Sequence, residues 1–340
     1  MLDILKKTYY RLPPFINRIA YLVPIEYRLG GKTFIETLNF IHESERWPSE
    51  KLRKYQAYML KNILNYAVKH IPYYRGIKLS GNAFRDLEKF PIIDKNEIIE
   101  NIHLFIPKNI SKLKVSMDTT GGTSGRQMRF YVDNKAYAKE WAFIISLWQR
   151  VGYQLGDKII SIRGGSILFK NSIWREQPIY NAIELSPFHL NPKTLPKYLG
   201  IIRHTKPKFI HGYPSAITIL AKYIINNNIT DLPKTKAILL ASEGTYPGQR
   251  ELIEQAFKTK TFTWYGQSEK VVLAGECEHS KIYHVFPQYG FIELLGKDGS
   301  IINQDNPSEE GEITGTSFIT YTMPCIRYRT RDYATWNCNT

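Results

Sequence analysis

Seven consecutive residues near the end of the first third of the chain are all glycine, serine or threonine. They are Thr119, Thr120, Gly121, Gly122, Thr123, Ser124 and Gly125. Glycines let backbone N–H groups approach an anion closely and the hydroxyls add donors, so this stretch predicts a loop that holds a polyphosphate. It is not a Walker loop, because the lysine which that motif requires is absent. A polar hairpin loop without a ligand is the alternative.

Two later segments carry groups that a bound nucleotide requires. Tyr265 and Gly266 offer a ring face to a nucleobase with close backbone approach, and Glu269 offers a hard oxygen ligand for Mg²⁺. Farther on, Arg329 and Asp332 lie close after an expected strand. They are suited to clamping phosphates and ribose hydroxyls, or to forming a surface ion-pair cluster. Taken singly, each segment is also compatible with an ordinary strand end.

The elements that must position these groups alternate between strands and helices. Short β-rich runs at residues 158–162, 208–211, 237–240 and 261–264 are separated by helical patterns at about 194–204, 215–229 and 248–257. This order predicts an α/β fold with a mainly parallel sheet flanked by helices, whose ligands lie at the carboxyl ends of the strands. Runs at 291–295 and 312–318 predict a smaller antiparallel β subdomain.

Helices are predicted before and just after the glycine-rich loop. Apolar residues recur at helical spacing after Ser49, a candidate cap, until Pro72, and Asp94 caps a further short helix. Residues 135–151 form an aromatic helix that is more typical of buried packing than of a cofactor box. Strands at 113–117 and 128–132 flank the loop.

Composition predicts a soluble globular protein of the cytoplasm. The chain has 340 residues, 43% hydrophobic content and three cysteines, too few for a disulfide scaffold. Its net charge of +15 is spread without a nucleic-acid-binding module, so we expect no nucleic-acid partner. Residues 2–23 mix apolar and basic side chains in a manner suited to the inner membrane surface, although Pro13 and Pro14 interrupt any long helix.

The order and spacing of these motifs resemble AMP-forming adenylating enzymes. Residues 119–125, 265–269, 311–313 and 327–332 match, in order, the conserved segments of that family. Within that family, the sequence resembles the phenylacetate-coenzyme A ligase-like branch. Members of this branch include proteins of capsular polysaccharide biosynthesis. The resemblance implies a helical lead-in at 1–112, an α/β core at 113–276 and a β-rich subdomain at 277–340, with the family's small lysine-bearing C-terminal domain absent.

The resemblance also implies a two-step reaction. ATP converts a carboxylic acid into an acyl-adenylate, and coenzyme A or another acceptor, such as a sugar, then displaces AMP. By resemblance the glycine-rich loop holds the β- and γ-phosphates, Glu269 binds Mg²⁺ and acts in catalysis with Arg329, and Asp332 binds the ribose. The implied adenine pocket is lined by Ser242, Glu243, Gly244, Tyr265 and Gly266, and the acyl pocket is approached by Tyr213 and Pro214.

Departures from the family pattern leave a second function open. Gln127 and Met128 stand where proline and lysine are common, and Arg331 replaces the glycine before the final aspartate. A nucleotide-binding accessory protein of a polysaccharide pathway, with impaired catalysis, is therefore the alternative. A basic module for nucleic acid or membrane surfaces is a third class, favoured by net charge alone. A homodimer is one option for assembly.

A structural zinc site is one further candidate. Cys277 and His284, with Cys338 later in the chain, supply thiolate and imidazole ligands that suit Zn²⁺, and His279 is a rival ligand. Unligated residues are the alternative.

Overall fold

The computed structural model describes residues 18–120, 127–164, 172–307 and 309–337. Its α-helices are α1 (Ile25–Arg28), α2 (Lys32–Ser44), α3 (Ser49–His70), α4 (Ala83–Leu87), α5 (Lys95–Glu100), α6 (Ile102–Phe105), α7 (Ala136–Arg150), α8 (Leu195–Thr205), α9 (Pro214–Asn226) and α10 (Gln249–Phe257). Short 3-10 helices lie at Arg18–Leu22, Pro72–Tyr74, Ile110–Lys112 and Pro178–Tyr180.

The strands form three sheets. They are β1 (Val115–Thr119), β2 (Arg129–Asp133), β3 (Ile159–Ile162), β4 (Trp174–Gln177), β5 (Ala182–Leu185), β6 (Phe209–Gly212), β7 (Ala237–Leu240), β8 (Thr261–Gly266), β9 (Leu273–Cys277), β10 (Ser280–Val285), β11 (Gly290–Leu295), β12 (Glu310–Ser317) and β13 (Tyr328–Thr335). The largest sheet has the order β10-β9-β8-β7-β6-β3-β5-β4, β1 pairs with β2, and β11-β12-β13 form the third sheet.

The large sheet is parallel at its centre and antiparallel at its edges. Strands β8, β7, β6, β3 and β5 run parallel, whereas β4 at one edge and the β9–β10 hairpin at the other are antiparallel to their neighbours. The separate three-stranded sheet is antiparallel throughout. The predicted fold class is confirmed, while the division of the chain at residues 112/113 and 276/277 stays a prediction.

Two hydrophobic cores explain why the central strands read as continuous apolar runs. In β7, Ala237 and Leu239 pack into one core, and Ile238 and Leu240 pack into the other, on the opposite face of the sheet. Helices α8, α9 and α10 cover the second face, and α7 with the N-terminal helices covers the first. A strand buried on both faces needs no polar alternation. Within the described ranges, no helix has both the length and the apolar character needed to cross a membrane.

The N-terminal helices follow the predicted pattern closely. Helix α3 spans 22 residues and ends just before Pro72. Ser49 is its first residue rather than its cap, because Pro48 occupies the N-cap position in an extended conformation. Asp94 does cap α5, since its Oδ1 atom accepts the N–H groups of Asn96 at 2.8 Å and Glu97 at 3.0 Å.

The segment that contains Arg329 and Asp332 follows strand β12, as expected, and itself forms strand β13. Its start is also joined to the helical lead-in. The Ile93 N–H donates to the Arg327 carbonyl at 3.1 Å, and the Arg329 N–H donates to the Ile93 carbonyl at 2.9 Å. Strand β13 is therefore fixed from two sides, by β12 and by the chain just before α5.

A buried carboxylate holds the turn that precedes α4. Asp86 is 3% exposed, and its Oδ1 atom accepts the Ser80 N–H at 2.7 Å and bonds the Lys89 ammonium at 2.7 Å. Its Oδ2 atom accepts the Gly81 N–H at 2.8 Å. Burial alone raises the pKa of Asp86, but the hydrogen bonds from Lys89, Ser80 and Gly81 outweigh it and lower the pKa.

We expect Asp86→Asn to lower the free energy of unfolding by about 2 kcal/mol at pH 7, because a charged acceptor loses several donors. The lowered pKa means that this contribution is complete above the unfolded carboxyl value near 4 and is lost as pH falls. Urea unfolding should therefore show a constant deficit between pH 7 and about pH 5, and a deficit that shrinks as pH falls below about 4. Asp298→Asn, in an exposed turn with similar bonds from Ser300, should change little. A deficit independent of pH would contradict the assignment.

Candidate functional site

Three polar segments follow neighbouring parallel strands at one edge of the large sheet. Residues 211–215 follow or end β6, residues 241–244 follow β7, and residues 265–269 end β8. Because the strands are parallel and adjacent, these segments share the carboxyl edge of the sheet. That edge is where open α/β sheets bind ligands.

Tyr265 and Asp332 are in direct contact. The Tyr265 hydroxyl donates to the Asp332 Oδ2 atom at 2.8 Å, across 67 residues of sequence. Burial, and then the nearby Asp332 charge, raise the pKa of Tyr265, so this hydroxyl keeps its proton and remains a donor. The residues predicted to meet the adenine and the ribose thus lie together, although their sequence motifs are far apart.

Glu269 is joined to the same strand as Asp332. It is 8% exposed, and its Oε1 atom accepts the Tyr328 hydroxyl at 2.6 Å. Burial and the Glu269 charge both raise the pKa of Tyr328, which keeps this donor protonated. Since Tyr328 and Asp332 both belong to β13, the Tyr-Gly-Gln-Ser-Glu segment contacts β13 at two points. Sequence reasoning did not select Tyr328 as a partner for Glu269.

The glycine-rich loop is described only at its ends. Thr119 and Thr120 lie within the described ranges, whereas Gly121, Gly122, Thr123, Ser124 and Gly125 fall outside them. The Thr120 N–H donates to the Met128 carbonyl at 3.0 Å, and the Met128 N–H donates to the Thr120 hydroxyl at 3.0 Å. The antiparallel β1–β2 pairing therefore continues up to the first residues of the loop.

The segment after β7 is attached to the start of helix α9. The two carboxylate oxygens of Glu243 accept the Ser215 N–H and the Ser215 hydroxyl, each at 3.0 Å. Ser242 has a φ of 69°, and both it and Gly244 are exposed. These three predicted adenine-pocket residues lie at the same edge as Tyr265, but Glu243 is already engaged by Ser215.

The segment after β6 combines Tyr213 and Pro214 with a buried histidine. Pro214 begins α9, and the Tyr213 hydroxyl accepts the Gly164 N–H at 3.4 Å. The His211 Nε2 atom lies 3.4 Å from the Arg163 guanidinium. Burial, and then the Arg163 charge, lower the pKa of His211 well below its ordinary value, so the ring is neutral.

Arg163 was missed by sequence reasoning. It lies directly after β3, and among the described carboxylates none forms an ion pair with it. A basic residue at the end of a parallel strand was the available signal.

Arg329 is held by a carboxylate of β12. Its Nε atom donates to the Glu312 Oε2 atom at 2.9 Å, and this hydrogen bond raises the pKa of Arg329. The Arg329 side chain is still 43% exposed, while that of Glu312 is buried. Glu312 therefore orients the guanidinium along β13, and the catalytic assignment of Arg329 stays a prediction.

Arg331 adopts the backbone conformation that a glycine would favour. Its φ is 65°, its N–H donates to the Glu312 Oε1 atom at 3.0 Å, and its guanidinium bonds Asp94 at 3.1 Å. The backbone path of the family motif is therefore compatible with arginine here, at a conformational cost.

We expect Arg331→Gly to be more stable than Arg331→Ala by about 1 kcal/mol, because alanine keeps the cost of the left-handed conformation. Both variants lose the exposed ion pair to Asp94, which contributes at most about 1 kcal/mol. The difference can be measured by urea unfolding of the two variants. An alanine variant at least as stable as the glycine variant would contradict this account of Arg331.

The candidate zinc ligands are partly brought together. Cys277 on β9 and His284 on β10 place the Sγ and Nε2 atoms 3.5 Å apart. Burial, and then Arg150, lower the pKa of His284, which leaves the imidazole neutral as a metal ligand must be. Cys338 lies outside the described residues, His279 is exposed beside Glu278, and the described ranges contain no cluster of three or more metal-ligating side chains. Zinc binding stays a prediction.

The chain matches no protein-family model. It is 26% identical over 318 residues to Protein CapK of Staphylococcus aureus, covering 89% of this chain and 68% of CapK. It is also 26% identical over 320 residues to a phenylacetate-coenzyme A ligase of Pseudomonas putida, covering 87% and 71%.

Solved structures show the same fold. A 2-hydroxyisobutyryl-CoA ligase in complex with 2-HIB-AMP and CoA superposes with a TM-score of 0.64 at 16% identity, over 86% of this chain and 71% of that one. In its postadenylation state with R3-HIB-AMP, that ligase gives a TM-score of 0.64, with 64% of its length covered. The chain is therefore similar in sequence to Protein CapK and to phenylacetate-coenzyme A ligases, and it shares the fold of adenylate-forming acyl-CoA ligases.

Proposed function

We propose that the chain provides the nucleotide- and acid-binding part of an AMP-forming acyl-coenzyme A ligase. The observation that carries the proposal is the pair of contacts from Tyr265 to Asp332 and from Tyr328 to Glu269. They gather, at the carboxyl edge of a parallel sheet, the groups that a nucleotide and its metal require. The similarity to phenylacetate-coenzyme A ligases supports the same activity.

In this proposal Asp332 accepts the ribose hydroxyls of ATP, and the Tyr265 ring borders the adenine together with Gly266 and residues 242–244. The hydroxyls and N–H groups of residues 119–125 hold the β- and γ-phosphates. Arg329 adds a fixed positive charge beside them. Such a site accelerates the reaction by positioning the carboxylate for attack on the α-phosphate and by neutralising the charge that develops there.

The residues present are compatible with Mg²⁺ at Glu269. Hydrogen bonds from described residues reach only the Oε1 atom of this carboxylate, so Oε2 is available as a hard oxygen ligand. One or two protein carboxylates suffice for Mg²⁺, because substrate phosphates and water complete its shell. When bound, the ion would neutralise phosphate charge, while Tyr328 holds the carboxylate in place.

We place the acyl group near Tyr213 and Pro214, with Arg163 and His211 beyond them. Coenzyme A is the proposed acceptor. A sugar acceptor in surface polysaccharide synthesis is the finer alternative that the family resemblance suggests. The protein would act in the cytoplasm.

Carboxylate-dependent exchange of pyrophosphate into ATP, in the presence of Mg²⁺ and a panel of aryl, fatty and amino acids, tests the proposal. We expect exchange with at least one acid, and a higher melting temperature with ATP and Mg²⁺, by the equivalent of about 2.7 kcal/mol at one hundred times Kd. Asp332→Ala should abolish the shift, while Asp231→Ala, at a surface ion pair with Arg203, should not. ATP binding without exchange would instead favour the accessory protein. The absence of both ATP binding and exchange would overturn the proposal.

A further inference from the structure

The residue that follows Glu269 carries a buried positive charge. Lys270 is 2% exposed, and its Nζ atom lies 2.7 Å from the Glu140 Oε2 atom on helix α7. The Tyr289 hydroxyl donates to the other oxygen of Glu140 at 3.3 Å. Lys270 also has a φ of 58°, a conformation that is costly for a residue with a side chain.

The same ammonium reaches toward the glycine-rich loop. Its Nζ atom lies 4.7 Å from the centre of the Tyr137 ring, one turn before Glu140 on α7. The Tyr137 hydroxyl donates to the Asp118 Oδ2 atom at 2.5 Å. The Asp118 Oδ1 atom in turn accepts the N–H of Thr119, the first residue of the loop, at 2.9 Å. A continuous set of contacts therefore joins Lys270 to the start of the loop.

Stability alone does not account for this arrangement. A buried ion pair is often no more stabilising than apolar side chains of similar volume, because both charges lose their hydration. A left-handed backbone at Lys270 adds a further cost. Strain of this kind persists where surrounding contacts fix it, and it concentrates at functional sites. Here the strained residue directly follows the proposed metal-binding carboxylate.

We propose that Lys270 is a positioning residue that holds the Glu269 carboxylate and the Asp118 end of the glycine-rich loop at a fixed separation. The proposal rests on the function proposed above, in which these two elements bind Mg²⁺ and the ATP phosphates. The ion pair to Glu140 fixes the backbone beside Glu269, and the contact with the Tyr137 ring fixes Asp118. Lys270 itself touches neither substrate nor metal.

The test separates positioning from folding with paired variants. Lys270→Met leaves the partly buried Glu140 without its cation and should lower the melting temperature. Lys270→Met combined with Glu140→Gln removes both charges, and should recover most of that loss. We expect the double variant to need on the order of tenfold more ATP, at fixed Mg²⁺, for half-maximal thermal stabilisation, because the phosphate and metal ligands are misplaced. The Mg²⁺ concentration that this double variant needs for half-maximal thermal stabilisation should rise as well.

The matched control is another largely buried pair, Arg250 and Glu276, whose Nη1 and Oε1 atoms lie 2.6 Å apart. Arg250→Met combined with Glu276→Gln should lower the melting temperature. It should not change the ATP or Mg²⁺ concentration needed for half-maximal thermal stabilisation. If the double variant at Lys270 and Glu140 responds to ATP and Mg²⁺ as the unchanged protein does, the positioning role is wrong. If the unchanged protein itself shows no ATP response, the proposed function has failed instead.

Discussion

Glu269→Gln is expected to reduce carboxylate-dependent pyrophosphate exchange by about 10²- to 10³-fold while leaving the fold intact. Removing one preorganised ligand of the ion that neutralises a reacting phosphate is expected to have an effect of about that size. The amide oxygen of glutamine can still accept the Tyr328 hydroxyl, so the local packing should be kept. Initial exchange rates at several Mg²⁺ concentrations, with melting temperatures alongside, measure both parts of the expectation.

Tyr328→Phe is the matched comparison for Glu269→Gln. It keeps the ring but removes the hydroxyl that orients the Glu269 Oε1 atom. We expect a smaller decrease, on the order of tenfold, because the carboxylate and its charge remain. Exchange by the Glu269→Gln variant at the unchanged rate, with the same Mg²⁺ dependence, would show that this carboxylate does not bind the metal.

Arg327→Met is expected to lower the free energy of unfolding by about 3 to 5 kcal/mol, the usual effect of breaking a buried ion pair. The Arg327 guanidinium bonds both oxygens of Glu293, at 3.1 and 3.0 Å. It also donates to the carbonyls of Glu88 and Phe90, so it joins β11 to the helical lead-in. Equilibrium unfolding in urea would measure the loss.

The pH dependence of that loss has a definite sign. Burial raises the pKa of Glu293 although Arg327 opposes it, and without Arg327 the pKa should rise further. An acid whose folded pKa is raised favours folding more as pH falls, because the folded state takes up the proton first. The deficit of Arg327→Met should therefore be smaller at pH 5 than at pH 8. Adding Glu293→Gln should recover part of the stability at pH 8, and no recovery would contradict the ion-pair explanation.

Four of the five parallel strands, β3, β6, β7 and β8, were predicted from the sequence, whereas β5 and several strands near the sheet edges were not. Strand β7 is apolar throughout, so its residues alone indicate a buried parallel strand. Strand β13 carries exposed charges, and its pairing depends on β12 and on Ile93 rather than on its own composition. Strand β9 contains Gly275, where a Cβ atom would lie 2.5 Å from the Leu147 side chain of α7. Only the folded packing explains a glycine there.

The sequence selected the residues of the candidate site as separate motifs, but it did not show how their side chains are connected. Motif order selected Glu269 and Asp332, and both proved to contact tyrosines at the expected edge of the sheet. The ion pair of Lys270 with Glu140 joins residues 130 positions apart, and no local pattern pairs them. A carboxylate on a helix that is mostly apolar was the available signal, because a charge largely removed from water requires a partner.

The contacts between the lead-in and Arg327 also constrain how the protein is made. Arg327 bonds the Glu88 carbonyl, 239 residues earlier in the chain, and Ile93 pairs with the same segment. Helices α2 to α6 therefore leave the ribosome long before their last packing partners are synthesised. Contacts of such long sequence separation form slowly, and the waiting apolar surfaces are open to aggregation. We expect nascent chains that stop before Arg327 to need chaperones to remain in solution.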